Sequence, residues 1–167
     1  FADQAVAASQ LSAAVAPLLA GAPWVLVGTL PLASPASAQA LEALVALAAE
    51  QGAPLALDVN WRPTFWGLDP DADPPPVVQS RIRPLLEQAA LIKCAAEEAQ
   101  ALFGSTDPVA IADSLPRQPA VLVTDGGAPL RWSLAGGSGT LPAFVVEAVD
   151  TTGAGDAFTA GLLHGLV

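Results

Sequence analysis

Two glycines and an aspartate near the C-terminus have the types and spacing of an anion-binding turn with a base beside it. Gly153 and Gly155 precede a predicted helix, which Asp156 begins. Glycines allow backbone N–H groups to face a ligand, and the first helical turn adds a partial positive charge. A phosphate bound there would lie beside Asp156, whose carboxylate can accept a proton from an attacking hydroxyl. The pattern therefore predicts phosphoryl transfer, although two glycines before a helix can also simply relax a turn.

The complete segment from Asp150 to Gly161 is more specific than its glycines. It reads DTTGAGDAFTAG and closely resembles the C-terminal signature of the ribokinase-like carbohydrate kinases, also called the PfkB family. The resemblance implies that Asp156 is the catalytic base, which deprotonates a sugar hydroxyl. It also implies an anion hole formed by the backbone N–H groups of Gly153, Ala154 and Gly155.

The start of this segment resembles the place where several family members hold a potassium ion. Asp150 and Thr152 would supply oxygen ligands for that ion. The residues alone allow a second interpretation, in which Asp150 caps local backbone N–H groups. The sequence leaves both interpretations open.

A polar loop follows the predicted strand that ends at Asp58. Its sequence, DVNWRPTFW, concentrates hydrogen-bonding groups, one guanidinium and three aromatic rings. One interpretation is structural: Arg62 pairs with Asp58, and the aromatic side chains fill the core. However, the pattern D-x-N-x-R with a tryptophan four residues on resembles the equivalent segment of fructokinases and 2-keto-3-deoxygluconate kinases. That resemblance implies that Asn60 and Arg62 contact substrate or phosphate.

Glu98 stands where the family carries the glutamate of an Asn-x-x-Glu motif after a strand. The resemblance implies that Glu98 helps to organise magnesium and phosphate waters. Ala95 stands at the position of the motif's asparagine, so the chain departs from the family pattern there. Without the resemblance, Glu97 and Glu98 are ordinary first-turn residues that complement a helix dipole.

The segment Thr124-Asp125-Gly126-Gly127 ends a predicted strand and resembles the family's T-x-G loop, which lies along the nucleotide. Thr124, Gly126 and Gly127 are therefore expected to bind nucleotide. A simple strand-to-hairpin turn would use the same residues. The glycine-rich stretch 136–139 precedes no Gly-Lys-Ser/Thr sequence, so it predicts a turn and not a Walker phosphate loop.

The elements that position these residues alternate between helix and strand. Helices are predicted over residues 4–19, 37–50, 77–89, 95–103 and 108–115, with a last helix from 156. Strands are predicted over 24–28, 54–58, 90–93 and 120–124. Buried strands separated by helices pair in parallel, which predicts a doubly wound α/β sheet with helices on both faces. An antiparallel hairpin is predicted before the anion-hole helix, from strands at 130–134 and 140–146 and a turn at 136–139.

The predicted sheet also indicates where a ligand would bind. Ligands of open α/β sheets lie outside the carboxyl ends of the strands. Asp58, Lys93 and Thr124 stand at or near three such ends, so we expect them to border one crevice.

Composition limits the classes of function. The 167 residues, of which 53% are apolar and 13% charged, suit one packed domain. A net charge of −10 opposes attraction to nucleic acid or anionic membranes, so a phosphate site must be local. Cys94 is the only cysteine, which agrees with a reducing compartment, and no signal peptide or membrane span is predicted. The expected location is cytoplasmic.

The resemblance runs from about Trp24 to Val167 and implies a partial chain. The family's N-terminal sugar-binding and lid segment is not recognisable, nor is its closing C-terminal segment. The expectation is one ribokinase-like α/β domain over residues 1–167. Because the lid often mediates dimerisation in the family, a homodimer is an expectation for the full-length protein only.

The resemblance predicts ATP-dependent phosphorylation of a sugar hydroxyl with Mg²⁺, and fructose is the first expected substrate. A kinase for 2-keto-3-deoxygluconate, another sugar or a nucleoside is the alternative within the family. A noncatalytic PfkB-like binding protein is the alternative outside it. Ala95 in place of the family's asparagine favours the noncatalytic interpretation, whereas an intact Asp156 opposes it.

Overall fold

The structure is a computed structural model that describes residues 8–167. The start of the first predicted helix, residues 4–7, lies outside the described residues. The helices are α1 (Ala8–Leu19), α2 (Pro35–Glu50), α3 (Pro76–Gln88), α4 (Ala96–Phe103), α5 (Pro108–Asp113) and α6 (Ala154–Gly165). The strands are β1 (Val25–Gly28), β2 (Leu55–Asp58), β3 (Leu91–Ala95), β4 (Ala120–Thr124), β5 (Leu130–Leu134) and β6 (Gly137–Leu141).

The strands form one mixed sheet in chain order. β1 to β4 pair in parallel, and β5 and β6 extend the sheet from β4 as antiparallel neighbours. Parallel strands are buried when helices cover both faces of the sheet, and they are therefore mainly apolar. β2 is buried throughout, and β3 is buried except at its last residue. The prediction of a mainly parallel α/β sheet with a C-terminal antiparallel hairpin is confirmed.

Different helices cover the two faces of the sheet. Successive strand residues point to opposite faces, so Leu57 and Ile92 enter one core whereas Leu91 enters another. The larger core receives side chains from α1 to α5, as expected when right-handed crossovers advance in one direction across the sheet. On the opposite face, Phe158 and Leu162 of α6 pack against the smaller core. Helices on both faces are therefore confirmed, and the chain returns through α6 to the face that carries Asp58 and Lys93.

The second strand of the hairpin differs from the prediction. β6 covers residues 137–141, whereas the prediction placed this strand at 140–146. Gly139 belongs to the strand and not to a turn because the ring of Trp132 lies over it. A Cβ on Gly139 would meet that ring at 3.1 Å. The apolar residues 142–146 misled the prediction; they form no strand, and most of them are exposed.

The turn of the hairpin is also shorter than predicted. It consists of Ala135 and Gly136, both with positive φ, at 52° and 79°. A two-residue type I′ turn requires this conformation at both positions. The predicted glycine-rich turn over 136–139 is therefore wrong.

Two helices begin two residues earlier than predicted. α2 begins at Pro35 rather than at 37, because proline already has the φ of a first helical residue and lacks the N–H that would be unpaired there. α6 begins at Ala154, so Asp156 is its third residue rather than its first. No helix within residues 8–167 combines the length and apolar composition that a membrane crossing requires.

Candidate active site

A buried ion pair forms the floor of the candidate site. Asp58 ends β2 and is the register partner of Lys93 on β3, so both side chains project from the same face of the sheet. The Lys93 Nζ lies 3.1 Å from Asp58 Oδ1 and 3.3 Å from Oδ2, and both residues are 7% exposed. The structural interpretation that paired Arg62 with Asp58 is wrong, because Lys93 occupies that position. Arg62 instead donates from Nη1 to the Trp61 carbonyl, 3.2 Å away.

A third polar residue reaches this pair from α6. Thr159 is 1% exposed, and its hydroxyl lies 2.9 Å from Asp58 Oδ2. The same hydroxyl is 2.9 Å from the Gly155 carbonyl. The ion pair of the sheet is thus joined directly to the helix that carries Asp156.

The glycine turn has the geometry of an anion site. Gly153 precedes α6 with φ at 77°, a conformation that side chains disfavour. The N–H of Ala154 donates to the Thr151 carbonyl at 3.1 Å, so this amide is already engaged. The N–H groups of Gly153, Gly155 and Asp156 have no acceptor within residues 8–167. Those three amides, at the positive end of α6, are the donors that the turn offers to an anion.

Asp150 has a local structural role. Its Oδ1 accepts a hydrogen bond from the Thr152 N–H at 2.8 Å, and this bond lowers the pKa of the Asp150 carboxyl. The capping interpretation of Asp150 is confirmed. The potassium site at Asp150 and Thr152 stays a prediction.

A cavity of about 440 Å³ brings most of the predicted residues together. It lies between the floor pair, the glycine turn and the polar loop after β2. Its lining consists of Asp58, Asn60, Arg62, Lys93, Ala95, Glu98, Thr151, Thr152, Gly153, Gly155 and Asp156. Asp156 is exposed to this cavity and not buried in the protein.

Glu98 joins two of the loops around the cavity. Its Oε2 accepts from the Ala95 N–H at 2.7 Å, and its Oε1 accepts from the Trp61 N–H at 2.5 Å. Burial raises the pKa of Glu98, and these two hydrogen bonds only partly oppose that effect. Glu98 is therefore more than a first-turn residue that complements the helix dipole, because it fixes the start of α4 against the polar loop.

Comparison with known proteins agrees with this geometry. Residues 2–167 match the sequence model for pfkB family carbohydrate kinases. The chain belongs to this family. Because that match covers nearly the whole chain, the assignment does not depend on the glycine turn alone.

Named relatives of this PfkB chain include fructokinases. A fructokinase from Klebsiella pneumoniae is 36% identical over 153 residues, which are 90% of this chain and 48% of that protein. Fructokinase-1 from Zea mays is 33% identical over 72% of this chain and 36% of its own length. The PfkB chain thus spans about half, or less, of the length of these relatives.

Solved structures share the fold. A PfkB protein from Polaromonas sp. JS666 superposes with a TM-score of 0.73 at 25% identity, over 90% of this chain and 48% of its own. A fructokinase from Vibrio cholerae O395, solved with fructose, ADP and calcium ion, has a TM-score of 0.70 at 30% identity. The latter match covers 84% of this chain and 44% of the other.

The predicted nucleotide residues of the PfkB chain lie apart from this cavity. Thr124 ends β4 beside Ala95 of β3, and its hydroxyl lies 3.4 Å from the Cys94 carbonyl. Gly126 has φ at 52° in a turn closed by a backbone hydrogen bond of 2.7 Å. The expected common crevice therefore includes Asp58 and Lys93, whereas Thr124, Gly126 and Gly127 are not among the residues that line it.

The contacts of Lys93 and Thr159 with Asp58 were not predicted from the sequence. Lys93 is the only lysine of the chain and stands in an otherwise apolar strand, a position that suggests a specific polar partner. Thr159 gave no signal, because a threonine in a helix next to small residues has no distinctive pattern. Only the packing of α6 on the sheet reveals that it meets Asp58.

The residues of the cavity suit a polyphosphate better than a bare metal ion. Free amides and the Arg62 guanidinium offer donors and positive charge, as phosphates require. Within residues 8–167, no group of three or more His, Cys, Asp or Glu side chains is placed to hold a metal. The Glu98 carboxylate already accepts two backbone hydrogen bonds, and Asp58 is paired with Lys93.

Proposed function

We propose that this PfkB chain is the phosphoryl-transfer part of an ATP-dependent sugar kinase, and that the sugar is fructose. The observation that carries the proposal is the cavity whose lining brings together Asp156, the glycine turn with its unengaged amides, Arg62 and Asn60. The identity to fructokinases from a bacterium and from plants supports fructose as the substrate. The kinase activity is proposed for the whole protein, because the matched segments are only 48% and 36% of the length of these relatives.

Asp156 is the proposed base. Its carboxylate lies in the cavity beside the turn, where it can accept the proton of a sugar hydroxyl as that hydroxyl attacks phosphorus. The N–H groups of Gly153, Gly155 and Asp156 would donate to the oxygens of the transferring phosphoryl group, on which charge is concentrated. Ala154 completes the proposed anion hole by holding the shape of the turn, because its N–H donates to the Thr151 carbonyl.

Arg62 and Asn60 are proposed to contact substrate or phosphate from the polar loop after β2, which also lines the cavity. Asn60 has φ at 44°, which asparagine tolerates better than most residues and which directs the loop away from β2. A guanidinium can hold two phosphate oxygens at once. Local positive groups of this kind are needed in a chain with a net charge of −10, because the overall field repels ATP.

ATP and Mg²⁺ are the proposed cofactors. Mg²⁺ binds phosphate oxygens and keeps several waters, so it can enter with the nucleotide and offset phosphate charge without a cage of protein ligands. Glu98 would act on it through water, because both carboxylate oxygens already accept backbone hydrogen bonds. A potassium ion at Asp150 and Thr152 remains part of the proposal.

Thr124, Gly126 and Gly127 are proposed to contact the nucleotide beyond its phosphates. They end the strand next to β3 and therefore lie on the same edge of the sheet as the cavity. Gly126 and Gly127 leave open space where a side chain would stand, so a ligand can approach the backbone closely.

A riboside kinase is the second candidate function. An aminoimidazole riboside kinase from Salmonella enterica, solved with its riboside and an ATP analogue, superposes with a TM-score of 0.66 at 28% identity. The match covers 84% of this chain and 46% of that protein. It favours a ribose-containing acceptor as the alternative to fructose.

Release of ADP from Mg-ATP tests the proposal and separates the candidates. The longest product of the gene should be assayed with fructose, 2-keto-3-deoxygluconate, ribose, adenosine and aminoimidazole riboside. We expect the highest kcat/KM with fructose. A higher value with a riboside would transfer the assignment to the second candidate, and no release with any acceptor from folded protein would support a noncatalytic binding protein.

The same assay tests the potassium site. Replacing potassium by choline should lower turnover or weaken substrate binding if Asp150 and Thr152 help to hold the ion. Unchanged turnover and unchanged KM for both substrates would remove potassium from the proposal.

A further inference from the structure

The polar side chains that join α6 to the sheet form a second feature of the site. We infer that Asp58, Lys93 and Thr159, the anchoring network, hold the first turn of α6 in the position that phosphoryl transfer requires, with Thr159 as a positioning residue. This inference rests on the proposed function and deepens it. It assigns a role to buried groups that contact neither the proton nor the phosphoryl group in the mechanism above.

Distance and chemistry make Asp58 the acceptor for Thr159. The Thr159 hydroxyl has one proton and lies 2.9 Å both from Asp58 Oδ2 and from the Gly155 carbonyl. A charged carboxylate accepts a stronger hydrogen bond than a neutral carbonyl. The hydroxyl of α6 therefore binds the sheet through Asp58, and Thr159 is 1% exposed, so water does not compete for this proton.

Lys93 fixes the carboxylate that accepts this bond. Its ammonium contacts both oxygens of Asp58, so the carboxylate cannot rotate without breaking one of these contacts. The same ammonium lies 3.1 Å from the point that a Cβ on Gly155 would occupy. The network thus constrains the glycine turn in two ways: Thr159 ties α6 to Asp58, and the ammonium occupies the space beside Gly155 that a side chain would need.

Because of its position on α6, Thr159 also restricts the movement of Gly155 and Asp156. Thr159 follows Asp156 by three residues and Gly155 by four, so it lies about one helical turn from each of them. Apart from this network, α6 is held mainly by apolar contacts of Phe158 and Leu162, which permit small sliding movements. A directional bond at Thr159 restricts such movements where catalysis is most sensitive to them, since a 1 Å displacement can cost on the order of 100-fold in rate.

Hydrogen exchange of α6 tests the inference without any substrate. Thr159→Val removes the hydroxyl and keeps the branched shape, whereas Thr159→Ser keeps the hydroxyl. We expect amides of residues 154–161 to exchange at least about tenfold faster in Thr159→Val than in Thr159→Ser or the unsubstituted protein. Thr29→Val is the matched control, because Thr29 is also fully buried and its hydroxyl donates to the Val59 carbonyl at 2.6 Å rather than to a residue of the anchoring network. It should leave exchange in α6 unchanged.

Turnover supplies the second measurement. Thr159→Val should lower kcat by about tenfold or more with little change in either KM, because the displaced groups act on the transition state rather than on bound substrate. Thr159→Ser should restore most of the activity. Thr159→Ala, which demands less space, replaces Thr159→Val if the latter does not fold.

The two measurements distinguish a failure of the inference from a failure of the proposed function. The inference is overturned if α6 exchanges equally in Thr159→Val and Thr159→Ser, if Thr29→Val accelerates α6 as much, or if kcat does not fall. If the unsubstituted protein shows no sugar-dependent ADP release, the proposed function fails and the positioning role fails with it. The exchange data would then still decide whether the network holds α6.

Discussion

Two glycines of the anion turn exclude a side chain for different reasons. Gly153 has open space around it but φ at 77°, so alanine there is strained in its backbone. Gly155 has no positive φ, but its Cβ would lie 3.1 Å from Lys93 Nζ. The backbone conformation therefore favours glycine at position 153, whereas the nearby Lys93 ammonium favours glycine at position 155.

We expect Gly153→Ala to lower mainly stability and Gly155→Ala to lower mainly turnover. Gly153→Ala should lower the free energy of unfolding by about 1–2 kcal/mol, the usual strain of a left-handed residue. Gly155→Ala should lower kcat by about tenfold or more, because it displaces the ammonium under the turn. Urea unfolding and ADP release measure the two effects. Full activity in Gly155→Ala would show that the position of Lys93 does not matter.

Glu98 makes stability depend on pH in a defined direction. Burial raises its folded pKa above the ordinary value of 4.5, so between these two values the folded state holds more protons than the unfolded state. The free energy of unfolding therefore rises as pH falls through that interval. Relative to Glu98→Gln, which does not titrate, the unsubstituted protein should gain stability between neutral pH and pH 4.5.

Urea unfolding at a series of pH values measures this difference. Glu97→Gln removes an exposed carboxylate from the same helical turn and controls for the change in net charge. A stability difference between the unsubstituted protein and Glu98→Gln that shrinks or stays constant on acidification would contradict the assignment.

Among the elements, the hairpin depends on one aromatic ring. Trp132 lies opposite Gly139 in the register, and a Cβ there would meet the ring at 3.1 to 3.5 Å. A Cβ on Gly137 would stand 3.5 Å or more from the same ring, which is ordinary contact. Gly139→Ala should thus destabilise the protein by about 1–3 kcal/mol, as overpacking does, whereas Gly137→Ala should be nearly neutral. Equal effects in urea unfolding would mean that the ring moves freely.

Element types were predictable from the sequence, but some boundaries were not. Apolar runs such as residues 120–124 between turn residues predicted the parallel strands. The second hairpin strand was placed wrongly because glycines are typical of turns. The sequence does not reveal that the Trp132 ring lies over these glycines. The two-residue turn was missed because Ala135 adopts positive φ, which its residue type does not suggest.

At the scale of the whole molecule, the candidate site arises where the chain crosses from one face of the sheet to the other. Among the described residues 8–167, five helices cover one face, and only α6 packs on the face that carries Asp58 and Lys93. Local motifs predicted Asp156, Asn60 and Arg62, because each lies within a short recognisable segment. The contact of Thr159 with Asp58 spans 101 positions of the chain, so no local pattern could predict it.

The central claim is that Asp156 is the base of a sugar kinase, and turnover of Asp156→Asn tests it most directly. Asparagine keeps the size and hydrogen-bonding capacity of the side chain but cannot take the proton, so kcat for sugar-dependent ADP release should fall by at least ~100-fold with the fold intact. Asp113→Asn, at the exposed end of α5 and outside the cavity, is the matched control and should keep full activity. Wild-type turnover in Asp156→Asn would contradict the account.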